Sequence, residues 1–442
     1  MDFSDLIIDA LGLYGARIES YKANKSELKL ELQVRQLREH AVCNRCKGPL
    51  HSVKDYRKRI LRGPPIGAYR EVIVHYLRLR AVCHACSGAP ELAELRGTHP
   101  EVSNLTLALA EMAGRLMEEL TCEATARYFR LNSKTMWDLD QWRMRRMKQD
   151  LKLPDVDVRL MSADEVHFRT IENNLRQNPF SERWVTKYLT NLVCSKVSKV
   201  ISNAGGRDTQ ALATCLKVLP KKTREKIEYF ALDMNAGYFK AVTKLCPNAE
   251  IAVDRFHLVQ ELNEAFNDVR KAEFKMAKQR QDEFQTSMLE GGRRFILMER
   301  KPRLSIEERN MLGKLKMLNT NINAAMLIVD YFHKVLDKNT IPKFRKALAQ
   351  WYCLVREAGI KRFRKFARQV RKYRLNIEAY IKSNLTTAVS EGINNKIKVL
   401  KRMGYGYTNQ ESFQLKILQR CGFLNSQFVD TSMWHWHIPH PQ

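Results

Sequence analysis

Two Cys-x-x-Cys pairs, Cys43 with Cys46 and Cys83 with Cys86, restrict the N-terminal part of this chain more than any other feature. Each pair makes a short knuckle that can aim two thiolates at one ion. The 36 residues between the pairs can form strands that bring the knuckles together. The pattern predicts a tetrahedral four-thiolate Zn2+ site of ribbon type. The intervening "YREVIVHYLRLRAV" is β-branched and partly alternating, as a strand requires. The other six of the ten cysteines are scattered singly, so metal is favoured over a disulfide framework. Lys54, Arg57, Lys58, Arg59 and Arg62 lie between the knuckles, where they face either phosphate or water.

Charge points to the partner. In 442 residues, 76 Lys and Arg outnumber 48 Asp and Glu by 28, which favours a polyanion, with nucleic acid ahead of a membrane surface. No run approaches the roughly 18 apolar residues of a spanning helix. The opening "MDFSDLIIDALGLYG" carries Asp2, Asp5 and Asp9 where a secretory signal would be positive. A cytoplasmic, nucleoid-associated protein without membrane contact is expected. Nothing resembles a phosphate-binding glycine loop, so ATP is not expected. The length implies several domains.

After the ribbon, 105–150 reads as helical. Within it, "LTCEATARYFRLNSKTMWDLDQWRMRR" predicts a helix over 122–129, a turn at 130–132 and a second helix with Ser133 as N-cap. That is the plan of a helix-turn-helix, with 134–142 as the helix entering the major groove and Lys134 and Arg143 as DNA contacts.

From Val158 the pattern turns to strands. "VRLMSADEVHF" ends its apolar run at Asp164, and "RWVTKYLTNLVCSK" and "KVSKVISNAGGRD" follow as strands. A helix, "TQALATCLKVLP", comes next. "KIEYFALDMNAGYFKAV" then gives a strand ending in Asp233 and a helix, and "NAEIAVDRFHLVQELNEAF" repeats the plan with Asp254. This is the order of an RNase H-like sheet, whose first and fourth strands lie side by side and would bring Asp164 and Asp233 together. Beyond it the residues up to Glu391 have helical periodicity and few breakers, an all-α insertion. Within that insertion, 361–374 carries eight Lys or Arg and no acid. Phe363, Phe366, Val370 and Tyr373 recur there at core-facing spacing, and the basic face is read as a DNA track.

With "SADE", "ALDMNAGY", "DRFHLVQELNEA" and "SEGINNKIKVLKR" preceded by the paired-cysteine ribbon, the chain resembles a DDE transposase of the bacterial insertion-sequence family called ISL-three, over 43–418. The resemblance implies DNA strand cleavage and joining at element ends, a catalytic triad of Asp164, Asp233 and Glu391, and Asp254 with His257 as an auxiliary core motif outside the triad. The chemistry suits three acids. Attack on a phosphodiester puts charge on the entering and leaving oxygens, which two Mg2+ (or Mn2+) ions about 4 Å apart stabilise, and such ions take carboxylate ligands. A lone exposed Glu among lysines is ordinarily a solvated ion-pair partner. In this setting Glu391 becomes a metal ligand, while Lys396, Lys398 and Arg402 hold the DNA backbone.

The expected organisation is multidomain α+β: a zinc ribbon over 1–95, a helix-turn-helix over 96–152, a core over 153–265, an all-α insertion over 266–380, and C-terminal core helices and tail over 381–442. Double-stranded DNA is the partner, and action on two ends calls for at least a dimer. Two other readings stay open: a DNA-binding regulator with an inactive core, and a nuclease of the same fold that hydrolyses without joining.

Overall fold

A computed structural model describes residues 3–431, apart from 87–89, 100–101, 103, 173–183, 292–304 and 386. The chain is mixed α and β with two sheets. It divides into two compact units: one takes the chain up to Pro154 and from Val399 onward, the other is Asp155–Lys398.

The first unit begins with helix α1 (Phe3–Leu11) and strands β1 (Ala16–Asn24), β2 (Lys29–Gln36), β3 (Val53–Gly63), β4 (Glu71–Val82) and β5 (Pro90–Leu92). They form a sheet of order β1-β2-β4-β3, with β5 added alongside β4. Alternation dictates its faces: Leu30, Leu32 and Val34 of β2 and Val72, Val74 and Tyr76 of β4 are buried with Leu11 and Leu13 in one apolar cluster. Gly97 holds this part close. It has φ +81°, and a Cβ there would meet the carbonyl oxygen of Gly12 at 1.9 Å.

Helices α2 (Leu107–Met117), α3 (Cys122–Phe129) and α4 (Ser133–Asp150) follow. Thr106 and Thr121 cap α2 and α3, and Arg130 ends α3 in the left-handed conformation at φ 52°. Asn132, not Ser133, caps α4: its side chain accepts from the Lys134 amide, and Ser133 is already helical. The second helix is also longer than expected and continues to Asp150, because Met136, Leu139, Met144 and Met147 supply an unbroken buried stripe. The C-terminal helix Gln410–Cys421 belongs to this unit, packing Leu415 with Met144, Met147 and Leu424.

The second unit contains β6 (Leu160–Glu172), β7 (Trp184–Cys194), β8 (Lys199–Gly205), helices α5 (Thr209–Lys217) and α6 (Lys221–Arg224), β9 (Tyr229–Leu232), α7 (Ala236–Leu245) and β10 (Glu250–Val253). The sheet order is β10-β9-β6-β7-β8. β6, β7 and β8 are antiparallel neighbours, while β9 runs parallel to both β6 and β10. The first and fourth strands therefore lie side by side. Asp164 does not end its strand: β6 continues past it, paired with β7, to Glu172.

Beyond β10 the described residues up to Ser383 form no strand. Helix α8 (Arg255–Gln279) opens a helical layer with α9 (Glu283–Leu289), α10 (Ile306–Leu318), α11 (Thr320–Leu336), α12 (Ile341–Ala358), α13 (Lys361–Lys372) and α14 (Arg374–Ser383). They share one core around Phe266, Phe332, Phe344 and Trp351, and Phe363, Phe366 and Val370 of α13 enter it. The basic residues of α13 are thereby turned away from the core. Helix α8 runs unbroken through residue 265, where the core was expected to give way to the insertion. The last helix of the sheet region, α15 (Ala388–Met403), carries Glu391 in its first turn, and the division between the units falls within it. The end of the expected C-terminal segment, 432–442, lies outside the described residues.

Candidate active site and metal centre

Strand register brings the acids of the second unit together. β6 pairs with β9 through Ser162 and Ala231, so two residues further on Asp164 and Asp233 stand level at the point where β9 stops. β10 pairs with β9 through Val253 and Leu232, which sets Asp254 level with Asp233. Carboxyl ends of parallel strands in open sheets are where ligands gather.

The three aspartates have different surroundings. Burial first, and then the neighbouring Asp233, push the Asp164 carboxyl up to about 6. The backbone amide of Glu165 and the side chain of Asn394, which donates from Nδ2 to Asp164 Oδ2 at 2.6 Å, act in the opposite direction. Asp233 Oδ1 lies 2.5 Å from His257 Nε2, in the first turn of α8, and this contact raises the imidazole pKa despite partial burial. Asp254 is buried and committed within the protein: Oδ1 accepts from the Phe256 amide as the N-cap of α8, and Oδ2 accepts from the Thr387 hydroxyl.

Helix α15 is fastened to the same strand. Ser390 Oγ shares a hydrogen bond with Ser162 Oγ, and Asn394 Nδ2 also reaches the Glu165 carbonyl at 3.4 Å. Glu391 sits between these two anchors, exposed, on a stripe that continues through Asn395 and Lys398. It is not gathered with the aspartates. Among the described residues, the four cysteines alone form a group of three or more ligand side chains with donor atoms mutually within 4.8 Å. The Asp164 and Asp233 pair fits a hard cation, since two neighbouring carboxyls, one with its pKa pushed up by burial and by the other, are relieved by positive charge.

In the first unit all four cysteine sulfurs converge. Cys43 Sγ is 3.7 Å from Cys86 Sγ, and Cys46 Sγ is 3.5 Å from Cys83 Sγ. Those separations match the edges of a tetrahedron with Zn–S bonds of about 2.3 Å. The first knuckle turns through Lys47 at φ 60°, and its amides at Cys46 and Arg45 bring the Cys43 thiol down to about 7, toward the thiolate a metal needs. Cys86 moves the other way, up to about 12, because it competes for hydrogen bonds with the crowded neighbouring thiols. Removal of protons by a metal ends that competition. The residues present fit Zn2+.

The expected DNA contacts separate. Lys134, Lys396, Lys398 and Arg402 are exposed. Arg143 is not: it is 1% exposed, its Nη1 lies 2.6 Å from Glu118 and its Nη2 3.3 Å from Glu111. It belongs to the interior of the first unit, and the expectation that it meets DNA is corrected. Arg62, between the knuckles, is likewise occupied, with Glu71 and the Phe129 carbonyl.

Two site residues escaped the sequence reading. Asn394 is one of the paired asparagines in "GINNKIK", a visible signal whose role was not. Glu165 adjoins Asp164 and has its pKa raised by burial and then by Asp164 and Asp233; the "DE" pair was its only sign.

Residues 180–417 match a family model described as transposase, of the DDE type and the ISL-three group. The chain belongs to the ISL-three family of insertion-sequence DDE transposases. The match includes Asp233, Asp254, His257 and Glu391 and begins beyond Asp164. Over 378 residues the chain is 27% identical to the transposase for insertion sequence element IS1001 of Bordetella parapertussis, covering 85% of this chain and 87% of that one. Over 245 residues it is 22% identical to the transposase for insertion sequence element IS1557 of Mycobacterium tuberculosis, covering 51% and 55% of the two chains. Among the described residues, no helix is long and apolar enough to cross a membrane.

Proposed function

We infer that this transposase binds the terminal repeats of its element and cuts and joins DNA strands through an RNase H-like core. Asp164, Asp233 and Glu391 are the metal-holding acids. The observation that carries this reading is the register of β6 and β9, which sets Asp164 level with Asp233, together with the Ser390 and Asn394 anchors that tie the Glu391 helix to β6. Divalent cations such as Mg2+ or Mn2+, when bound, would stabilise the charge that develops on the entering and leaving oxygens.

The chain's own residues prepare that chemistry. Asn394 fixes the direction of one Asp164 oxygen, and His257 fixes one of Asp233. This reading requires Glu391, exposed on an anchored helix, to turn to the pair by a change of rotamer, a fast and inexpensive motion for a surface side chain. Asp254 remains outside the metal set, because both of its oxygens already serve α8 and Thr387. His257 faces Asp233 through Nε2, and that contact favours its charged form.

DNA is held by positive charge. Lys396 and Lys398 on α15, Arg402 beyond them, Lys134 on the second helix of a helix-turn-helix, and the basic face of α13 supply phosphate contacts. Zn2+ on Cys43, Cys46, Cys83 and Cys86 fixes the ribbon. The protein acts as a dimer or larger assembly on two element ends.

The test is cation-dependent cleavage and joining of a labelled end duplex by the wild type and by Asp164→Asn, Asp233→Asn and Glu391→Gln, beside a binding titration. Bound DNA with cleavage lost in all three supports the triad. Normal cleavage by any one removes that residue from it, and cleavage without joining by the wild type marks a nuclease.

A further inference from the structure

The first unit contains a cavity of about 380 Å3 between the start of α4 and the loop after α15, within the range of small-ligand pockets, about 300–1,000 Å3. Its wall includes the rings of Trp137, Tyr405 and Tyr407. Tyr407 packs against Phe413 at 4.8 Å and faces Trp137 at 6.3 Å between ring centres. The loop sequence "GYGY" dictates this arrangement. Gly404 leaves room for the Tyr407 ring, which a Cβ would meet at 2.8 Å, and Gly406 turns the chain at φ +91°. Between them Tyr405 takes φ 49° and is 94% exposed. An aromatic ring so exposed gains nothing from packing in the isolated protein.

Polar groups also line the wall. Gln141 is 5% exposed, its Oε1 accepts from the Ser412 hydroxyl, and its Nε2 finds no acceptor in the protein. Ser133 and Lys134, at the start of α4, stand at the same wall. The deeper Asp140 and Lys416 are paired with each other at 2.8 Å and keep the floor neutral.

We propose that this cavity receives one nucleobase lifted out of the bound DNA. A base combines what the wall asks for: a flat aromatic face for Trp137, Tyr405 and Tyr407, and ring nitrogens or carbonyls that can accept from the exposed Ser133 hydroxyl. Stacking on protein rings is tolerant of base identity and is strong enough to hold an unpaired base, and extrusion costs least at a weakened or distorted pair. The occupant is DNA because the chain is a transposase with a net charge of +28. The proposal rests on the DNA-binding part of the proposed function and not on the catalytic triad.

The probe is a terminal-repeat duplex in which 2-aminopurine replaces one base at a time, mixed with the full-length protein in EDTA so that cleavage plays no part. Binding is expected to raise fluorescence several-fold at one position. Tyr405→Ala, at a fully exposed ring, and Ser133→Trp, which fills the cavity from its mouth, should abolish that rise while circular dichroism and melting match the wild type. A bound duplex with no responsive position, or a response that survives both substitutions, overturns the pocket alone. Failure to bind the duplex at all overturns the reading of the chain and the pocket with it.

Discussion

Asn394 donates a 2.6 Å hydrogen bond from Nδ2 to Asp164 Oδ2, joining residues 230 positions apart in sequence and linking α15 to β6. Asn394 is 5% exposed, and its Oδ1 lies 3.5 Å from the Nδ2 of Asn191 on β7. Asn394→Ala removes the donor and leaves Asp164 with one partner fewer in a buried setting. Stability should fall by about 1–3 kcal/mol, and cleavage should fall with end binding intact. Denaturant melts beside a cleavage assay check this; unaltered values in both would reduce the bond to a passive contact.

Glu391→Gln keeps the length of the side chain and removes the anionic oxygen. Its exposure predicts an unchanged melting temperature, and the loss of one negative charge beside the phosphates predicts equal or slightly tighter DNA binding. Cleavage should drop by about 100-fold or more, the scale on which transition-state electrostatics act. Single-turnover cleavage of an end duplex gives the answer.

The raised Asp164 pKa makes the metal-free protein sensitive to pH. An acid whose folded pKa is about 6 instead of 3.8 binds more protons folded than unfolded between those values, so stability falls as pH rises through that window. The full effect is about 3 kcal/mol. In EDTA the wild type should therefore lose stability between about pH 4 and 6, and Asp164→Asn should remove that part of the slope and be the more stable protein at pH 7. Urea titrations across the window decide it, with equal slopes counting against the buried carboxyl.

The four-cysteine cluster predicts a local dependence on metal. Structural zinc contributes an apparent 10–16 kcal/mol or so to the folding of small domains, so Cys43→Ser or a strong chelator should unfold the sheet of the first unit and release one zinc per chain. The sheet of the second unit should keep its hydrogen-exchange protection. Elemental analysis of protein purified without chelator that finds no zinc would count against the site.

Arg143 and Lys398 should part company. Arg143→Ala takes the cation from buried Glu118, leaving it Ser426, and removes one of the partners of half-buried Glu111, which should cost about 3–5 kcal/mol of stability. Lys398→Gln should leave stability unchanged and flatten the salt dependence of DNA binding by about one counterion. A shallower salt slope for Arg143→Ala at wild-type stability would return that arginine to the surface.

Where local patterns sufficed, the sequence was readable. The alternating residues of β2 and β4, the knuckle spacing, the three-strand, helix, strand, helix, strand order and the core stripe of α13 each follow from a repeat of two or of about 3.6 residues, or from a short motif. Arg143 shows how such a pattern can be overlooked: it falls on the stripe of Met136, Leu139, Met144 and Met147, and the stripe, not the charge, decided its fate. Its acid partners could not be read locally, since Glu111 and Glu118 lie on and beside another helix. The cap of α4 turned on one residue, because Asn132 and Ser133 are both good caps and backbone conformation alone chose between them.

By itself the sequence determined which residues could become acids, ligands and cations of a site, because composition, spacing and periodicity are properties of the chain. Only tertiary structure decided which of them meet. Strand register set Asp164 level with Asp233, the folding back of α15 gave Asp164 its donor and left Glu391 exposed beside it, and packing buried Arg143. Those outcomes depend on hydrogen bonds and burial between segments far apart in sequence, and no local propensity encodes them.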